Sequence, residues 1–142
     1  MKIRTVIHLA ATLSLCASAV ADVRLPNLFS DHMVLQRDKV IKVWGWAAPG
    51  EMIKVLLAGK AAEATTSADG EWKVALPAMK AGGPHELTVT GKNTVTISDI
   101  LVGEVWVCSG QSNMEFELKW ARNAQQEIKD ADYPRIRMLL VP

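Results

Sequence analysis

The sequence predicts a two-part α+β chain: an antiparallel β-sandwich over residues 22–99, then the first β-α-β unit of an α/β/α domain over residues 100–142. Three observations carry that expectation. Turn signals recur every ~8–15 residues between short β-branched runs as far as Asp99. Residues 100–107 then form an almost continuous apolar run, broken only by Gly103 and Glu104. A helical period follows, and it gives way to a second alternating run.

Residues 1–21 stand apart from both units. Lys2 and Arg4 make a basic start, residues 6–15 are a short apolar run, and Ala19-Val20-Ala21 has the small-residue pattern of a cleavage site. That is the layout of a secretory signal peptide, too short for a membrane span. Cys16 lacks the small residue that a lipoprotein site needs before it, because Leu15 stands there. The expectation is an exported bacterial protein, periplasmic or extracellular, with no integral membrane segment after cleavage. Cleavage removes two of the 16 basic residues and none of the 15 acidic ones, so the net charge becomes −1. A nearly neutral chain is not built to hold nucleic acid or an anionic membrane surface. Cys108 alone remains of the two cysteines, which excludes an intramolecular disulfide. Its apolar surroundings predict a buried small hydrophobe, and no basic neighbour in sequence stands ready to activate it as a nucleophile.

The sandwich strands follow from alternation and punctuation. Residues 40–46 put Val43 and Gly45 on one face and Lys42, Trp44 and Trp46 on the other. Pro49-Gly50 is a turn, residues 52–57 a strand, and Gly59 the next break. Ala68-Asp69-Gly70 precedes a strand at 71–76, Gly82-Gly83-Pro84 one at 86–90, and Gly91-Lys92-Asn93 one at 94–97. In the second unit, residues 100–107 read as a strand covered on both faces. Met114, Leu118, Ala121, Ala124 or Gln125, and Ile128 recur at helical steps. Residues 130–134 end that helix, and residues 135–141 alternate as a second strand, parallel to the first.

Between the expected strand and helix lies Gly110-Gln111-Ser112-Asn113. Two readings of Ser112 stand side by side. Ser112-Asn113-Met114-Glu115 fits a capping box, which needs no chemistry. A serine between a strand end and a helix start also faces the crevice where α/β sheets bind ligands, beside free amides that favour an oxyanion. The Gly-x-Ser-x-Gly elbow is matched only in part, since Met114 replaces the second glycine.

The run from Leu101 through Gly103-Glu104-Val105-Trp106 and Gly110-Gln111-Ser112-Asn113 to Glu115 resembles the nucleophile block of the sialate O-acetylesterase family, SGNH (GDSL-like) hydrolases. The likeness extends to Leu25-Pro26, Leu28-Phe29, Asp31, Met33-Val34-Leu35-Gln36-Arg37, Val43-Trp44-Gly45-Trp46-Ala47 and Pro49-Gly50-Glu51. It continues through Ala68-Asp69-Gly70, Trp72 and Gly82-Gly83-Pro84 to Ala131-Asp132-Tyr133-Pro134, Ile136 and Arg137. The resemblance implies a secreted carbohydrate esterase, a sandwich followed by an SGNH domain, acting on O-acetylated sialic acids or other acetylated glycans. Ser112 would attack the acetyl carbonyl, with Gly110, Gln111 and Asn113 forming the turn around it and its own amide serving the oxyanion. A histidine would act as base, with no metal or organic cofactor.

One part of the family pattern is missing. The Asp-x-x-His pair is absent from these residues, which leaves His32 and His85 beyond the signal. The combination His32, Asp69 or Asp99, and Ser112 is an order other serine hydrolases use, but nothing in the sequence orients either histidine toward Ser112. The expectation is therefore an N-terminal portion of an esterase, inactive by itself. The alternative is a non-catalytic sandwich, structural or carbohydrate-binding, with Trp44 and Trp46 either a stacking platform or a cover for the core or the domain interface.

Overall fold

The structure, a computed structural model, describes residues 22–141. The signal-peptide assignment of residues 1–21 lies outside them. Seven strands make two sheets: β1 (Val34–Gln36), β2 (Ile41–Trp46), β3 (Met52–Leu57), β4 (Lys60–Thr65), β5 (Glu71–Leu76), β6 (Gly82–Thr90) and β7 (Thr94–Gly103). The larger sheet has the order β1-β7-β6-β3-β4, and β2 pairs with β5 in the smaller. Pairing is antiparallel throughout except between β1 and β7, which run parallel. β4 and β5 lie side by side without a ladder between them, so the whole curls into a half-closed barrel.

Strict alternation places the core. Val43 on β2, Ile53, Val55 and Leu57 on β3, Val74 and Leu76 on β5, and Leu87 and Val89 on β6 all face inward into one cluster. Their strand neighbours Lys42, Lys54 and Lys73 face solvent, as a sheet with one wet face requires. Gly45 sits where two chains approach most closely. Arg24 bridges to Trp46 through N–H···O bonds of 2.8 and 2.9 Å. A Cβ on Gly45 would lie 2.1 Å from the Arg24 carbonyl oxygen and 2.9 Å from the Trp72 ring.

The last strand is longer than expected. β7 does not end at Ile97 but runs on to Gly103. Leu87 pairs with Ile97 and His85 with Ile100, so one extra residue enters β7 as a bulge. Asp99 takes up the bulge with φ of +54°, a conformation that aspartate tolerates better than most residues. The bulge shifts the alternation by one, bringing Ile97, Ile100 and Val102 to the same inner face. The boundary expected at residue 100 therefore falls inside a strand.

The β-α-β unit is not formed. Residues 104–111 have no regular structure, Ser112–Glu115 and Leu118–Trp120 are single 3-10 turns, and the only α-helix among the described residues, α1, is Ala124–Asp130. Residues 135–141, expected as a strand, join no β-ladder among the described residues. The reason is burial. A parallel pair needs cover on both faces, and among the described residues nothing covers Trp106, Val107, Met138 or Leu140, all more than four-fifths exposed. Cys108, expected to be buried, is exposed for the same reason.

Candidate functional site

The segment that carries Gly110-Gln111-Ser112-Asn113 leaves the sheet at the end of β7, and β1 fixes its departure. Val34, Leu35 and Gln36 pair with Leu101, Val102 and Gly103. The amide of Arg37 donates to the Gly103 carbonyl at 2.8 Å. Beyond the ladder, the Gln36 side chain takes over. Its Oε1 accepts from the Val105 amide at 2.9 Å and its Nε2 donates to Glu104 at 3.0 Å. Arg37 Nε lies 3.4 Å from the other Glu104 oxygen.

A second tie holds the far side of the segment. Arg137 binds both carboxylate oxygens of Asp99, at 3.0 and 2.9 Å, and its other terminal nitrogen donates to the Asp99 carbonyl. Both carboxylate bonds come from one terminal nitrogen, Nη2, and together with the Nη1 bond to the carbonyl they fix the direction of the guanidinium as well as its distance. His32 Nδ1 approaches the same carboxylate at 2.6 Å. The turn that presents His32 is itself pinned: Asp31 accepts from the Ser98 amide at 2.7 Å, and the His32 amide donates to the Ser98 carbonyl. His32 and then Arg137 hold the Asp99 carboxyl below its ordinary range. Lys80 and Arg37 do the same for Asp38.

Ser112 is exposed and opens the turn Ser112–Glu115. The capping box is not made: Gln111 occupies the N-cap and no side chain bonds to the turn's free amides. The turn is closed by backbone bonds from Met114 to Gln111 and from Phe116 to Asn113. Gly110 has φ of +157°, and a Cβ there would lie 3.0 Å from the Met114 side chain. Gln111 and Asn113 are exposed beside Ser112. The expected elbow differs in one respect, because irregular residues 104–111, rather than a strand end, lead into the serine. The His32–Asp99 pairing weighed from sequence does exist, but among the described residues no side-chain hydrogen bond joins Ser112 to it. No group of three or more His, Cys, Asp or Glu side chains among the described residues is placed to hold a metal ion. No helix among them is long and apolar enough to cross a membrane.

The chain is 33% identical over 137 residues to the sialate O-acetylesterase of Mus musculus, and 34% identical to that of Homo sapiens. Each match takes in 87% of this chain. The chain belongs to the sialate O-acetylesterase family. It spans about a quarter of the length of these relatives, 25% and 26%. Among solved structures it resembles a carbohydrate acetylesterase from Xanthomonas citri, with 43% identity and a TM-score of 0.77 over 80% of this chain and 26% of that one. No family model matches it.

Set against the family, the motif residues have visible work. Asp31, Gln36 and Arg37 secure β7 and the start of the segment bearing Ser112, and Arg137 secures its return. In the sequence these positions stand out only as matches to the family pattern, and what they hold does not show. A signal was present: polar residues interrupting apolar runs, as Gln36 follows Val34-Leu35 and Arg137 splits Ile136 from Met138, often mark bonds made across the fold.

Proposed function

We propose that the chain is the front part of an exported serine acetylesterase that removes O-acetyl groups from sialic acids or other acetylated glycans, with Ser112 as nucleophile. The observation that carries this reading is the similarity to sialate O-acetylesterases across 87% of the chain. The local geometry supports it, because Ser112 is exposed and its hydroxyl is not used as a helix cap.

In this reading the Ser112 oxygen attacks the acetyl carbonyl carbon while a histidine base takes its proton. The sugar oxygen leaves with that proton, and water then releases acetate from the acyl-serine by the reverse sequence. The amide of Ser112 and the turn of Gly110, Gln111 and Asn113 serve the oxyanion. The base is supplied by an Asp-x-x-His pair outside these residues, so the 142-residue chain by itself has no appreciable esterase activity.

The test is acetate release from p-nitrophenyl acetate and from an O-acetylated sialic acid. The complete protein is expected to be active and its Ser112→Ala variant inactive, with folding unchanged. Full turnover by Ser112→Ala, or Ser112-dependent turnover by the 142-residue chain alone, overturns the reading.

A further inference from the structure

The outer face of the β2–β5 pair carries groups that neither the core nor the Ser112 segment uses. Trp44 and Trp46 point to the same side of β2 and remain 38% and 39% exposed. Opposite them on β5 stand Lys73 and Glu71, in register Trp44↔Lys73 and Trp46↔Glu71. Such directly opposed side chains start about 5 Å apart and touch readily. With Lys42 and Thr65 these residues line an open groove of about 680 Å³. Among the described residues, neither lysine nor Glu71 is engaged in an ion pair.

The tryptophans cover the core only in part. Most of the β2 contribution to the core is made on the opposite face, by Ile41 and Val43, and Trp44 touches the cluster through Phe29 while more than a third of each tryptophan stays exposed. Trp44 is nevertheless fixed, because its ring meets Phe29 edge-on at 4.9 Å and 78°. A pre-set aromatic surface loses little freedom when it binds.

We propose that this groove binds a carboxylated sugar, away from the Ser112 segment. Indole faces take the apolar C–H face of a pyranose ring, and an unpaired ammonium beside them takes a carboxylate. Lys73 stands opposite Trp44 in register, with Lys42 two residues along the strand, so the acid group sits at the Trp44 end. Glu71 and Thr65 accept from and donate to ring hydroxyls at the Trp46 end. The choice of a sialic-acid type of sugar rests on the carbohydrate-esterase reading; the groove and its charges do not.

The complete protein is titrated with 3′-sialyllactose, which carries no acetyl ester and cannot be a substrate, and with neutral lactose. Heat of binding and tryptophan fluorescence are recorded. The sialylated sugar is expected to bind, with affinity falling at least about tenfold in Trp46→Ala, as truncation of a tryptophan anchor does. Lys73→Ala, which leaves both indoles and the core in place, is expected to abolish the preference for the sialylated sugar over lactose. Absence of binding to either sugar, equal binding of both by the wild type, or binding unaffected by both variants overturns the proposal. A Trp46-dependent dimer that excludes the sugar also overturns it. Acetate release by the same preparation reports the esterase reading separately, so either can fail alone.

Discussion

The close approach at Gly45 allows a sharp test of the packing. In Gly45→Ala, the new methyl would sit 2.1 Å from a backbone oxygen and 2.9 Å from a buried ring. Neither neighbour can swing aside. The Arg24 carbonyl is held by the Trp46 amide at 2.9 Å, and Trp72 is only 3% exposed. Relief must come from moving β2 away from residue 24, which strains the core by ~1–3 kcal/mol and weakens two backbone bonds worth ~0.5–1.5 kcal/mol each. The expected loss is about 2–6 kcal/mol, against a total of ~5–15 kcal/mol for a domain. In urea, with a slope of ~1–3 kcal/mol/M, the midpoint followed by circular dichroism should fall by about 2 M. Gly103→Ala is the control, since its Cβ would meet nothing closer than Val34 Cγ1 at 3.7 Å. It should stay within ~1 kcal/mol of wild type in either direction. Equal midpoints for the two variants would refute the argument.

Three further outcomes are expected. Because His32 and Arg137 lower the folded pKa of Asp99, its tie is complete above the ordinary aspartate range and is lost as pH falls through the lower folded value. Protection against hydrogen exchange over residues 104–141, taken relative to the intrinsic rate at each pH, should therefore fall in acid for wild type and be low at every pH in Arg137→Ala; Asp38 titrates in the same direction in both proteins and cancels in the comparison. Glu51→Ala should cost ~1–3 kcal/mol in thermal denaturation, because its carboxylate accepts from the Lys92 amide at 2.5 Å and from the Ala48 amide at 3.2 Å; Glu51→Gln should recover part of that. Leu57→Ala, at a side chain with no exposure, should cost ~2–5 kcal/mol by chemical denaturation, and a smaller loss would mean that the site collapses on the cavity.

The strands that were legible in the sequence are those whose burial alternates without interruption. β2, β3 and β5 appear where Ile41-Lys42-Val43, Ile53-Lys54-Val55 and Trp72-Lys73-Val74 place apolar and charged residues by turns. β4 escaped notice because Lys60-Ala-Ala-Glu-Ala-Thr has little intrinsic preference for a strand; pairing with β3 makes it one. β7 looked shorter than it is because a bulge breaks a period-two pattern in the same way that a strand end does. For the second unit, the periodicities were real but described a preference that needs layers on both sides to be realised. Ser112 was visible as a residue type, whereas the ties that govern its segment were not. A hydrogen bond between Gln36 and Val105 spans 69 residues and leaves no local pattern.

Those ties have a consequence for how the segment can change. It departs beside Gly103 and comes back, through Arg137, to Asp99 on the same strand. A length of chain stapled at both ends to one short stretch of backbone behaves as a closed loop, whose entropic cost rises by only ~0.6 kcal/mol for each doubling of its length. Residues can be added, lost or reshaped around Ser112 with little penalty to the barrel, while the two staples keep the altered loop in register with it. The sheet edge formed by β1 and β7 is thus a fixed mount on which the loop's chemistry can be exchanged.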